Sequence, residues 1–150
     1  MIKQYEAANI TIRTERDGLV CYEKSLLALD KVSRRIVAAG KDAQSYCGND
    51  NIEVFSPLRN GHIAYFDYSV EMFKVLLGEI VKKSFFRKPV IGVCVPDDIT
   101  EVEWRAMAEA LISAGAKGVV ISETGINGLR KEDEALHEKI KLDVVIFINS

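Results

Sequence analysis

Between Pro89 and Pro96 the sequence reads V-I-G-V-C-V, without a charged side chain. A run this short has strand length, and a strand apolar at every position has no face to give to water. It predicts a strand over Pro89–Pro96 that is covered on both sides. The flanking sequence supplies candidate covers. Upstream, Val70, Phe73, Leu76, Leu77, Ile80 and Val81 recur at helical spacing, with Asp67 or Ser69 placed to cap. Downstream, Thr100 followed by Glu103 forms a capping box that opens a second helix. The buried stripe of that helix is Met107, Ala110, Leu111 and Ala114, and Gly115 ends it. Gly118–Ser122 and Lys141–Ile148 read as the strands that follow.

The earlier half has a different period. Ala8–Arg13 alternates apolar and polar, and Gly18–Tyr22 follows a turn at Asp17-Gly18, which predicts a hairpin. Ser25–Asp30 and Arg34–Gly40 form a second such pair, K-D-A-Q-S-Y a short helix, and Asn51–Phe55 another strand. Hairpins followed by helix–strand–helix–strand predict an α/β domain, a mixed sheet with flanking helices. With 150 residues and no repeat or linker, residues 1–150 read as a single domain.

A formal charge of -2 and the lack of a long basic arm argue against nucleic acid as a partner. Cys21, Cys47 and Cys94 form no C-x-x-C pair, and two of them sit in apolar strand-like runs, the pattern of a reducing compartment. Met1 is followed by no apolar signal segment, and no run reaches the ~20 apolar residues of a membrane span. The expected location is cytoplasmic. His62 and His137 lack nearby ligand partners and read as surface residues, so no metal is expected. Glu101 and Glu103 resemble an acid–base pair, but the first turn of a helix already suits negative charge. Trp104 reads as packing, and Gly125 and Gly128 as a turn before a surface helix bearing Lys131, Glu132, Asp133 and Glu134.

Three blocks carry a family resemblance. They are P-L-R-N-G-H-I-A-Y-F-D (Pro57–Asp67), K-P-V-I-G-V-C-V-P-D-D-I-T-E-V-E-W-R-A (Lys88–Ala106) and A-G-A-K-G-V-V-I-S-E (Ala114–Glu123). In this order and spacing they resemble the bacterial actin-like, rod-shape-determining MreB family, with Gly18–Asp30 a looser match. The resemblance covers nearly the whole chain but only the N-terminal part of the family's longer sequence. It implies an actin-like (ribonuclease H-like) N-terminal domain.

The family binds ATP between two phosphate loops, and this chain departs from both. Where the family has D-L-G-T-A-N, here stand Gln4-Tyr5-Glu6-Ala7-Ala8-Asn9. Glutamine replaces the metal-side aspartate, Glu6 the glycine and Ala7 the hydroxyl residue. At the glycine position, the Glu6 carboxylate would put negative charge against the phosphate oxygens. Thr124 aligns with the family's water-positioning glutamate, although Glu123 precedes it, and the chain ends at Ser150, where the second loop would begin. The resemblance therefore implies no cofactor and no ATP hydrolysis.

The stretch Lys82-Lys83-Ser84-Phe85-Phe86-Arg87-Lys88-Pro89 sets two phenylalanines between two pairs of cations. In the resembled family, this turn carries a bulky apolar pair that enters the membrane. Phe85, Phe86, Lys82, Lys83, Arg87 and Lys88 are accordingly the expected contacts to an anionic surface. Two other fates stay open: the pair folds back onto the domain's own core, or it docks into a partner protein.

The resemblance thus implies a non-catalytic cell-shape scaffold, peripheral at the inner membrane face, that associates with itself or with an actin-like filament protein. Alternatives are half of an actin-like ATPase completed by another polypeptide, and a small α/β binding module. Exposed apolar surface is expected near the final strand and Ile126 to Leu129, where a second lobe would dock.

Overall fold

A computed structural model describes residues 7–16, 18–84, 88–95, 99–123 and 142–149; at 79, 81–84, 122 and 123 it describes the backbone alone. The chain first forms β1 (Asn9–Thr14), β2 (Val20–Lys24), β3 (Leu27–Asp30) and β4 (Ile36–Ala39). Helix α1 (Lys41–Gln44) follows, then β5 (Ile52–Phe55), β6 (Leu58–Arg59) and β7 (His62–Ile63). The second half holds α2 (Phe66–Ser84), β8 (Val90–Val95), α3 (Glu101–Ser113), β9 (Gly118–Glu123) and β10 (Val144–Asn149).

Both expected hairpins form, β1 with β2 and β3 with β4, each antiparallel. The first turns near Gly18, whose φ of 64° suits glycine. At the second, the Asp30 carboxylate accepts the N–H groups of Val32 and Ser33, both at 2.9 Å. A third pairing, β6 with β7, was not expected, although its signal is in the sequence. Asn60 and Gly61 take φ of 53° and 80°, the left-handed pair that an Asn-Gly hairpin turn requires.

The main sheet is mixed, in the order β2-β1-β10-β8-β9, while β4-β3-β5 form a smaller sheet. β8 lies parallel to both β9 and β10, and β10 lies antiparallel to β1, with Ile10 opposite Ile148 and Ile12 opposite Ile146. The final strand is thus the central strand, which corrects the expectation of exposed apolar surface beside it. Val144, Val145, Ile146 and Ile148 are all buried. A strand with apolar residues on both faces has its least costly place in mid-sheet, as β8 also shows. Ile126 to Leu129 lie outside the described residues.

Alternate residues of these strands serve two packing layers. Ile91, Val93, Val95, Ile146 and Ile148 meet Phe73 and Leu77 of α2 and Met107 and Leu111 of α3 in the main core. Cys94, Leu142 and Val145 pack together on the opposite side. Gly92 belongs to that second side, where a Cβ would lie 2.6 Å from Leu142 Cδ1. Each large aliphatic side chain so buried contributes roughly 1.5–3 kcal/mol. Helix α3 has the expected capping box, with both Thr100–Glu103 bonds at 3.2 Å. Helix α2 begins earlier than its periodicity suggests, and Ser69 is inside it, donating to the Tyr65 carbonyl at 2.7 Å rather than capping.

Candidate functional site

The start of β8 is held by bonds to the starts of β9 and β10. Asp143 Oδ2 accepts the Val90 N–H at 2.9 Å, while the Asp143 N–H donates to the Val90 carbonyl at 2.8 Å. The Lys117 N–H donates to the Pro89 carbonyl at 2.8 Å, and the Glu15 N–H to the Asp143 carbonyl at 2.9 Å. These bonds bring the starts of β8, β9 and β10 and the turn after β1 to one end of the sheet. Parallel strands make this inevitable, because their starts line up.

Of the six residues expected to contact a membrane, Lys88 is described and exposed, next to buried Pro89. Lys82 and Lys83 lie in the last turn of α2, with their side chains outside the description, and Phe85, Phe86 and Arg87 lie outside the described residues. The fold adds cations that linear reading missed. Lys117 is exposed and bonded through its backbone to Pro89, and Arg16 is exposed on the adjoining turn. Arg13 is partly neutralised by Glu15 at 2.9 Å and lies over the Phe147 ring at 5.4 Å. Lys117 stands immediately before β9, which lies parallel to β8, and only that pairing brings it beside Pro89.

At the other end of β1, Gln4, Tyr5 and Glu6 lie outside the described residues, and Ala7 and Ala8 are buried. The Ala8 N–H donates to Ser25 Oγ at 2.7 Å. That hydroxyl lies 2.9 Å from Ser56 Oγ, which in turn is 2.7 Å from the Leu58 carbonyl. The Ala8 amide is therefore engaged within the protein, in a buried serine pair that fixes the small sheet to the large one. Glu123 ends β9 with its side chain outside the description, and Thr124, Gly125 and Gly128 lie outside the described residues.

His62 is not the surface residue expected. Its side chain is only 17% exposed, and its Nδ1 lies 3.0 Å from Glu103 Oε2, tying β7 to the first turn of α3. Glu101 pairs with Arg105 at 2.8 Å. Both carboxylates of the apparent acid–base pair are thus occupied structurally. Trp104 keeps 40% of its surface exposed, more than a packing residue would. Among the described residues, no group of three His, Cys, Asp or Glu side chains is placed to hold a metal ion, and no helix among them is long and apolar enough to cross a membrane. A cleft of about 230 Å³ beside Lys31, Cys47, Asp50 and Glu53 includes none of the residues singled out above except Cys47.

Comparison with known proteins places this geometry. The profile of the MreB/Mbl protein family matches residues 5–128. The cell shape-determining protein Mbl of Bacillus cereus (strain ATCC 10987 / NRS 248) is 37% identical over 118 residues, covering 77% of this chain and 35% of that protein. MreB of Haemophilus influenzae is 35% identical over 123 residues, with the same coverage of 77% and 35%. The chain thus spans about a third of the length of the curated relatives it matches. Among solved structures, MreB5 of Spiroplasma citri bound to ADP superposes with a TM-score of 0.67 at 24% identity, over 81% of this chain and 37% of that one. The MamK double helical filament gives 0.60 at 16% identity, over 79% and 38%. These two likenesses concern the fold, and both agree with a mixed sheet flanked by helices.

Proposed function

The chain belongs to the MreB/Mbl family of cell-shape cytoskeletal proteins, and from that premise we propose that it is a non-catalytic scaffold domain. It works at the inner face of the membrane, associating with itself or with actin-like filaments. The observation that carries the membrane part is the basic end of the sheet. Exposed Lys88 follows Phe85, Phe86 and Arg87 in sequence, and exposed Lys117 is bonded through its backbone to Pro89, the residue after Lys88.

Fully burying one Phe is worth roughly 1.5–3 kcal/mol, and each cation near anionic lipid about 1 kcal/mol. Insertion to headgroup depth gives a fraction of the first figure, less the cost of association. One copy binds weakly, and several held side by side bind firmly. Resemblance to a protein solved as a double helical filament supports that arrangement.

The non-catalytic reading rests on the phosphate turn. Glu6 brings negative charge to it, Gln4 removes the metal-side carboxylate, and the Ala8 amide is taken by Ser25. These residues fit a nucleotide phosphate poorly.

Flotation with vesicles containing anionic lipid tests the membrane claim. The parent chain is expected to float at low salt and Phe85→Ser/Phe86→Ser to stay in solution; equal behaviour of the two chains rejects it. Magnesium and ATP are expected to leave the melting temperature unchanged, and a clear rise rejects nucleotide independence.

A further inference from the structure

We propose that β2 is a self-pairing edge, through which two copies of this chain join across a two-fold axis. The inference is independent of membrane binding and of filament-type assembly. Strand β2 is at the outer edge of the five-stranded sheet, and among the described residues no strand pairs with its free side.

The backbone shows what that side offers. Thr14 N–H donates to the Leu19 carbonyl and Ser25 N–H to the Ala8 carbonyl, both at 2.9 Å. In an antiparallel pair, residues that exchange bonds alternate with residues that do not. In the register of Ile12 opposite Cys21 and Thr11 opposite Tyr22, Cys21 and Glu23 therefore turn their backbone groups toward β1. Val20 and Tyr22 turn theirs to the open edge.

Their side chains are also uncovered: Val20 is 40% exposed and Tyr22 70%. An edge carrying unpaired backbone groups and apolar side chains is a template for another strand. A second β2 fits this one in a specific register. With Cys21 opposite its own copy, Val20 of each chain faces Tyr22 of the other. Each pair then exchanges both backbone bonds and sets a β-branched side chain against an aromatic one. The contact is isologous, so it closes as a dimer and does not propagate. It joins five strands from each copy into one continuous sheet.

The Lys24 ammonium does not oppose this pairing, since it is drawn over its own sheet to Asn9 Oδ1. Glu23 likewise accepts the Lys41 N–H at 2.9 Å.

Sedimentation equilibrium of the full chain over a wide concentration range is the test. The parent is expected to show a monomer–dimer equilibrium. Tyr22→Pro removes an N–H that makes no bond to β1, and Val20→Lys sets a charge on the edge. Each is expected to weaken dimerisation about tenfold or more. Circular dichroism verifies that both variants fold; Val20→Lys carries the test if the proline variant does not. In a Cys47→Ser background, mild oxidation is expected to link the copies through Cys21, and Cys21→Ser to abolish the link. A Phe85→Ser/Phe86→Ser chain is expected to dimerise like the parent. A chain that stays monomeric throughout, a dimer indifferent to Val20→Lys, or a link that bypasses Cys21 overturns the proposal.

Discussion

Asp143 and Val90 exchange two hydrogen bonds, the Asp143 carboxylate accepting the Val90 N–H at 2.9 Å and the Asp143 N–H reaching the Val90 carbonyl at 2.8 Å. This clamp fixes the register at which the final strand enters the sheet beside β8. Removing the carboxylate leaves a part-buried N–H without its acceptor, at a cost of about 1–3 kcal/mol. Asp143→Ala is expected to lower the urea midpoint accordingly, with Asp143→Asn closer to the parent because its amide oxygen still accepts. Equal midpoints for all three chains reject the clamp.

Gly40 is required by both conformation and space. Its φ is 74°, and a Cβ there would lie 2.3 Å from Glu23 Oε1 and 2.8 Å from Leu76 Cδ2. Glu23 cannot give way without losing its bond to the Lys41 N–H. Gly40→Ala is expected to destabilise by roughly 2–4 kcal/mol, combining left-handed strain with displaced neighbours. Gly48, with φ of 88° and open space around it, is the control. There the same substitution is expected to cost only the left-handed strain, about 1–2 kcal/mol. Chemical denaturation of the two variants checks the ranking.

The Asp30 carboxylate titrates below its ordinary range because the Ser33 N–H, and next the Val32 N–H, donate to it. A depressed folded-state pKa stabilises the fold above the unfolded pKa, near about pH 4, and the effect disappears as pH falls through the lower folded value. The stability gap between the parent and Asp30→Ala is therefore expected at neutral pH and should narrow in acid. A gap that widens in acid contradicts the assignment.

Lys117 belongs to the proposed membrane-facing end only because of the fold. If it meets anionic lipid with Lys88, Lys117→Ala should reduce vesicle partitioning about fivefold at low salt, the equivalent of about 1 kcal/mol. The reduction should fade as salt rises. Lys74→Ala provides the comparison: Lys74 is paired with Glu71 on the exposed side of α2 and should leave partitioning unchanged. Like effects from the two variants would remove Lys117 from the surface.

Much of the fold was legible because it is written in local periods. The Thr100–Glu103 cap, the two N-terminal hairpins and the double-sided burial of Val90–Val95 each follow from a few adjacent residues. The Asn60-Gly61 hairpin was equally legible and was passed over, because its flanking strands are only two residues each. The candidate site was legible in part. Lys88 is a neighbour of the phenylalanines in sequence, whereas Lys117 reaches the same end through its backbone bond to Pro89, and Arg16 by following Glu15, whose N–H donates to the Asp143 carbonyl. The His62–Glu103 contact had no sequence signal, since neither residue's surroundings name the other.

The sequence by itself determined most of the segments that are strands or helices and which of their faces are apolar. Only the tertiary structure decided the order of the strands, and above all that the last one lies between the first hairpin and β8. The physical reason is that strands pair through N–H and C=O groups that every residue carries, so Val144–Asn149 bears no mark of its neighbours. Its apolar residues on both faces require only a covered position. Packing of the whole sheet then selects the position, with Ile10 and Ile12 on one side and Ile91 and Val93 on the other.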